Sequence, residues 1–132
     1  MKNLILFIAV VLFFSFGFIS CSSSISNSIT FNNQSQGEIF INFRGQIINV
    51  SAGQSSKIEK IPQGTYDYAT TFSIPASATS ASSQGNLTGT FNVSADTKIL
   101  LYYTSTLISG AYTLFVTISN SDKQNTTTTT SP

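Results

Sequence analysis

The fold of this chain is decided by residues 39–50, which read Ile-Phe-Ile-Asn-Phe-Arg-Gly-Gln-Ile-Ile-Asn-Val. Apolar residues recur at every second position on both sides of the Arg-Gly pair, and this period predicts strands that are buried on one face. If residues 44 and 45 form a two-residue loop, the opposed pairs are Phe43 with Gln46, Ile41 with Ile48 and Ile39 with Val50. The apolar side chains then share one face, as a buried register requires. The sequence therefore predicts a β-hairpin.

Alternation of the same kind recurs along the rest of the chain. The apolar residues that share parity within a segment are Ile29 and Phe31; Tyr66, Tyr68, Phe72 and Ile74; Leu87, Phe91 and Val93; Ile99, Leu101 and Tyr103; and Tyr112, Leu114, Val116 and Ile118. A short strand is predicted at Ser56–Glu59, whereas residues 75–85 (PASATSASSQG) read as a polar loop without periodicity. No segment after residue 20 sustains the i, i+3, i+4 pattern of an amphipathic helix.

The resulting fold prediction is all-β: a single antiparallel β-sandwich of about seven to eight strands, with a barrel as the open alternative. The central positions Ile41, Phe91, Leu101, Leu114 and Val116 are predicted to be buried. Thr113 and Thr117 have the opposite parity to Leu114 and are predicted to face solvent. Residues 50–68 (VSAGQSSKIEKIPQGTYDY) resemble a ribbon of small immunoglobulin-like or transthyretin-like sandwiches. That resemblance implies a fold and no functional residue.

The first twenty residues have the organisation of a secretory signal peptide. Met1-Lys2-Asn3 is a positively charged start, residues 4–19 are almost wholly apolar, and Ser20 is a small residue at the expected cleavage position. A membrane-spanning helix needs about 20 apolar residues. The apolar run is shorter than that, so we predict a cleaved signal rather than a permanent span.

The stretch Phe18-Ile19-Ser20-Cys21 resembles the lipobox of bacterial lipoproteins, although Phe18 stands where Leu, Val or Ile is usual. The resemblance implies that Cys21 is lipidated and becomes the mature N-terminus, so that the protein is held in the membrane through lipid, such as palmitate. Cys21 is the only cysteine, so the chain holds no disulfide partner for it. The predicted location is the bacterial cell envelope. Ser22 replaces the aspartate that retains some lipoproteins in the inner membrane, which favours the outer membrane or the cell surface.

These observations divide the chain into four parts. We predict a signal peptide at 1–20, a lipidated tether at 21–27, the β-sandwich domain at 28–120 and a disordered Thr-rich tail at 121–132. A rival hypothesis is a secreted eukaryotic protein with a Thr-rich stalk. It would use Asn-x-Ser/Thr sites for glycosylation, and five are present: Asn33, Asn49, Asn86, Asn92 and Asn125. This rival leaves Cys21 unexplained.

Composition and missing residue types exclude several functions. The five cations and five carboxylates that follow residue 20 balance, so no basic footprint for nucleic acid or anionic lipid is evident. The chain has no histidine, which removes Ser-His-Asp catalysis and His/Cys zinc sites. The candidate carboxylates for a glycosidase-type pair are Glu38, Glu59, Asp67 and Asp96, and they are scattered. We therefore expect no enzyme, no cofactor and no metal.

The adjacent tyrosines Tyr102 and Tyr103 must point to opposite sides of one strand. If Tyr103 joins the core, Tyr102 shares the other face with Leu100, and it becomes a candidate ligand contact unless that face is also covered. Our first hypothesis is a membrane-anchored lipoprotein that acts as a non-catalytic envelope or surface interaction module, with a protein or glycan partner. The second is a β-sandwich that binds carbohydrate or a small ligand through exposed tyrosines, and the third is an enzyme of unrecognised type.

Overall fold

The computed structural model of the protein describes residues 25–121, and every regular element in this part is a β-strand. The nine strands are β1 (Ser28–Asn33), β2 (Ile39–Phe43), β3 (Gln46–Val50), β4 (Ser55–Glu59), β5 (Gly64–Phe72), β6 (Ser80–Gln84), β7 (Thr88–Val93), β8 (Lys98–Ile108) and β9 (Ala111–Asn120). They form a five-stranded sheet in the order β4-β1-β8-β9-β6 and a four-stranded sheet in the order β3-β2-β5-β7. The two sheets enclose one core, which confirms the predicted β-sandwich.

The hairpin over residues 39–50 is confirmed in register. Phe43 pairs with Gln46, Ile41 with Ile48 and Ile39 with Val50. Arg44 and Gly45 have φ angles of 55° and 75°. Two positive φ angles in a two-residue loop define the type I′ turn, whose twist matches that of the flanking strands.

The core lies between the sheets and contains the residues that share parity within each strand. Phe43, the last residue of β2, packs in this core with its ring centroid 6.4 Å from that of Phe31 and 6.1 Å from that of Phe91. The predicted core residues are all buried: Ile41, Phe91, Leu101, Leu114 and Val116. Burying a side chain of this size stabilises the fold by about 1.5–3 kcal/mol. A shift of one residue in strand pairing would turn these side chains to the solvent face, so the alternation favours the observed register.

The predicted loop at residues 75–85 is wrong in part, because it contains β6. This strand lies at the edge of the five-stranded sheet and pairs in parallel with Ala111–Phe115 of β9. All five of its residues are exposed. A mainly polar strand with no buried face shows no alternation of apolar and polar residues, so the period-two pattern could not predict it.

Two further differences concern strand direction and strand ends. The five-stranded sheet is mixed, because β1 pairs in parallel with β8 and β6 pairs in parallel with β9, while its other pairs are antiparallel. Parallel neighbours require long crossovers, and here those crossovers pass through the other sheet. Strand β5 ends at Phe72, so Ile74, which was predicted to continue it, is exposed beyond its end.

Both ends of the described chain lie at the same end of the sandwich. The Ser121 amide donates to the Lys98 carbonyl at 2.9 Å, and Ser28 pairs with Lys98 in register. Asn27, which the sequence assigns to the tether, is buried. Its Nδ2 donates to the Ile61 carbonyl at 2.9 Å and its Oδ1 accepts from the Thr97 amide at 2.8 Å. These two bonds hold Asn27 against the residues that precede β5 and β8.

Candidate binding surface

The outer face of the five-stranded sheet presents apolar side chains to solvent at its centre. Strand β8 is the middle strand, and its inward residues Ile99, Leu101 and Tyr103 are buried. The alternate residues Leu100 and Tyr102 are 37% and 38% exposed. A covering layer over this strand would have buried both residues, so in the described part of the chain the outer side of β8 is open.

The strand register places polar side chains around this centre. Tyr102 lies opposite Asn32 of β1 on one side and Thr117 of β9 on the other. Leu100 lies opposite Thr30 and Ser119 in the same way. Directly opposed residues in a sheet have Cβ atoms about 4.5–5.5 Å apart, so these groups border the apolar centre closely.

Phe115 is a third member of this surface that the sequence analysis missed. It is partly buried in β9, opposite Thr104 of β8, and is therefore a diagonal neighbour of Tyr102. The signal was present, since Phe115 stands between Thr113 and Thr117 and shares their outward parity. We define the Tyr102 face as Thr30, Asn32, Leu100, Tyr102, Thr104, Phe115, Thr117 and Ser119.

The Tyr102 face carries no charged side chain. Asn32 Oδ1 accepts a hydrogen bond from Gln34 Nε2 at 2.9 Å, which leaves the Asn32 amide donors for another partner. The nearest charges by register are Lys57, opposite Thr30, and Lys98 at the start of β8. Lys57 forms an ion pair with Glu59 at 2.8 Å. The hydrogen bond from Lys57 and its charge lower the pKa of the Glu59 carboxyl.

The four candidate carboxylates lie apart from one another. Glu59 is paired with Lys57, Asp67 accepts a hydrogen bond from Thr90 at 2.8 Å, and Asp96 accepts one from Ser26. Glu38 precedes β2 at the opposite end of the sandwich from Asp96. Within residues 25–121, no three acidic, cysteine or histidine side chains form a group that could hold a metal ion.

Three other tyrosines, Tyr68, Tyr103 and Tyr112, belong to the core rather than to a surface. The Tyr103 hydroxyl lies 3.0 Å from Thr70 Oγ1, and this buried bond joins the two sheets. Burial is the main cause that raises the pKa of Tyr103, and it raises the pKa of Tyr68 as well. Tyr68 stacks on Phe91 with ring centroids 4.3 Å apart. Both phenols therefore remain neutral at physiological pH and contribute to packing.

The outer face of the four-stranded sheet is the weaker candidate surface. The Arg44 guanidinium lies 5.6 Å from the centroid of the Tyr66 ring, at the rim of a shallow depression that Asn42, Thr65 and Asp67 also line. Ile47 is its most exposed apolar residue, and Phe40 on β2, the diagonal neighbour of Ile47, is partly buried. This face mixes both signs of charge and gathers no group of exposed aromatic residues.

Asn33, one of the five predicted glycosylation sites, is fully buried in the structure. Its Nδ2 donates to the carbonyls of Gly37 and Val50, both at 2.8 Å, and its Oδ1 accepts from the Ser35 amide at 2.9 Å. A glycan cannot be attached to this side chain in the folded domain. The rival hypothesis of a glycosylated secreted protein loses this site.

The predicted lipid-attachment residue Cys21 lies outside the described residues, as do the predicted signal peptide and most of the Thr-rich tail. From Ile25 to Ser121 no helix is long and apolar enough to cross a membrane. A scan against protein-family models gives no match for this chain. A search of curated proteins gives none either.

Proposed function

We propose that this chain is an exported lipoprotein of the bacterial cell envelope that is held in the membrane by lipid on Cys21. In this proposal the β-sandwich is a non-catalytic interaction module, located at the outer membrane or the cell surface rather than at the inner membrane. The resemblance of residues 18–21 to a lipobox supports the lipid anchor on Cys21. The serine at position 22, where an aspartate would favour the inner membrane, supports the location.

The small number of residues between Cys21 and the folded domain supports the proposal that the domain is held at the membrane surface. Asn27 is the first residue that the core holds, six positions after Cys21. Six residues span at most about 20 Å, so a lipid on Cys21 would keep the domain close to the bilayer. The end of the sandwich that holds Asn27 and Ser121 would then face the membrane, and the crossover at residues 34–38 would face away from it.

The Tyr102 face supports the interaction role. It stands on the side of the sandwich, between the membrane-facing end and the far end, so a partner can approach it without meeting the bilayer. A second candidate function, binding of carbohydrate or a small ligand through exposed tyrosines, is favoured by the exposure of Tyr102 beside Leu100 and Phe115. The separated carboxylates support a module without a catalytic step.

Metabolic labelling tests the anchor. An alkyne analogue of palmitate fed to the bacterial host should label the wild-type protein, and Cys21→Ala should remove the label and leave the signal peptide uncleaved by the lipoprotein-specific peptidase. Ser22→Ala is the matched control, because it changes the next residue and keeps the thiol. Equal labelling of the wild type and Cys21→Ala would refute the lipoprotein proposal.

A further inference from the structure

We infer that the Tyr102 face binds an uncharged polysaccharide, with one sugar ring stacked on Tyr102 and the next near Leu100 or Phe115. The inference rests on the proposed interaction function and names the class of its partner. It draws on three properties of the face: the size of its apolar centre, the polar groups around that centre and the absence of charge.

The apolar centre is too small for a stable protein interface. Specific protein partners bury about 800 Å² each, with an apolar core inside a polar rim. Here Leu100 and Tyr102 are little more than one-third exposed, and Phe115 is partly buried. These three side chains would make a contact of the size of one or two sugar rings rather than the core of a protein interface.

The surrounding groups are those that hydroxyl-rich ligands need. Threonine and serine hydroxyls both donate and accept hydrogen bonds, and a side-chain amide does the same with two distinct ends. Asn32 and Thr117 flank Tyr102 directly, and the Asn32 amide donors are left for a ligand. An aromatic ring bordered by such groups combines an apolar platform for a ring face with partners for its hydroxyls.

The apolar residues of the Tyr102 face occupy separate positions along β8 and across to β9. Leu100 and Tyr102 are two residues apart on β8, which places them about 6.8 Å apart along the strand. Phe115 is the diagonal neighbour of Tyr102, at about 7–8 Å. The face therefore offers at least two consecutive contact positions.

The absence of charge selects uncharged polymers. Among residues 25–121, the ionisable groups on the Tyr102 face or bordering it by register are the Tyr102 phenol, the ion pair of Lys57 with Glu59, and the Lys98 ammonium group at the margin. An acidic polysaccharide would therefore find no unpaired cation at the centre of the face. We expect neutral glucans, mannans or chitin to bind in preference to alginate.

Co-sedimentation tests this inference with the detergent-solubilised mature protein. The probes are cellulose, chitin, curdlan and insoluble mannan, with calcium alginate beads as the acidic comparison. The wild type should bind at least one neutral polymer, and Tyr102→Ala should weaken that binding by about tenfold or more, as truncation of an aromatic anchor does. Tyr102→Phe should retain most of the affinity because the ring is kept.

Ile47→Ala is the matched control, since Ile47 is 72% exposed on the other sheet and its loss should leave binding unchanged. Equal melting temperatures of the wild type and Tyr102→Ala establish that both are folded. Asn32→Ala is a second variant on the same face, and it should also weaken binding because it removes the amide donors beside Tyr102. Failure to bind any neutral polymer, binding to alginate alone, or binding that survives Tyr102→Ala would overturn the inference. A wild-type protein that takes up no palmitate label but still binds a neutral polysaccharide would refute the anchor and still support the glycan site.

Discussion

The hydrogen bond between Tyr103 and Thr70 allows a sharp test of how the two sheets are held together. Tyr103 belongs to β8 in the five-stranded sheet and Thr70 to β5 in the four-stranded sheet, and their hydroxyl oxygens are 3.0 Å apart inside the core. The perturbations are Tyr103→Phe, Thr70→Val and the double variant. Each removes one hydroxyl and nearly preserves the volume and shape of the side chain.

The structure sets the expected magnitudes. Either single variant leaves the other hydroxyl buried without its partner, which costs about 1–3 kcal/mol. The double variant leaves no unpaired hydroxyl and keeps the packing, so it should cost less than the sum of the two single variants. We expect a coupling free energy of about 1–2 kcal/mol between the two positions. The backbone bond from the Thr70 amide to the Leu87 carbonyl, at 2.7 Å, is retained in every variant.

Equilibrium urea denaturation, followed by circular dichroism, measures the free energy of unfolding of all four proteins. Tyr102→Phe is the matched control, because it removes a phenol hydroxyl from the adjacent exposed position and should change stability by no more than about 0.5 kcal/mol. Single-variant effects that add within about 0.3–0.5 kcal/mol would refute the reasoning, since they would mean that the two hydroxyls do not act as a pair.

The elements that the sequence predicted are those in which one face is buried. The residues of the 39–50 hairpin alternate, and the Arg-Gly pair takes the positive φ angles of its turn, so local and long-range preferences agree. Strand β6 could not be predicted because both of its faces are exposed and its single apolar residue, Ala81, forms no alternation that would mark a register. Its place is decided by the free edge of β9, which lies about thirty residues further along the chain.

The sequence could name only part of the candidate surface, because it shows which residues share a face of one strand but not what lies beside or above that strand. The Tyr102-Tyr103 pair requires one tyrosine on each side of β8, so the sequence could name Tyr102, but it could not show whether a further layer covered it. Phe115 joins the surface only through the register of β8 with β9, a pairing that no local pattern specifies. Cys21 stays a prediction from the sequence, because its role depends on recognition by processing enzymes and not on the fold.

Two further predictions concern the core and its tyrosines. Leu114→Ala should destabilise the domain by about 2–5 kcal/mol through lost burial and a residual cavity, whereas exposed Thr117→Ala on the same strand should change the urea midpoint little; equal effects would mean that both faces are buried. For the tyrosines, burial raises the pKa of Tyr103 above the value of 10.0 that applies to an accessible phenol. The unfolded chain therefore ionises first as the pH rises, so the stability due to the neutral phenol is complete below about pH 10 and declines above it. Tyr103→Phe should lose stability less steeply than wild type in urea titrations between about pH 9.5 and 11.5. Parallel slopes for the two proteins would show that another group governs alkaline unfolding.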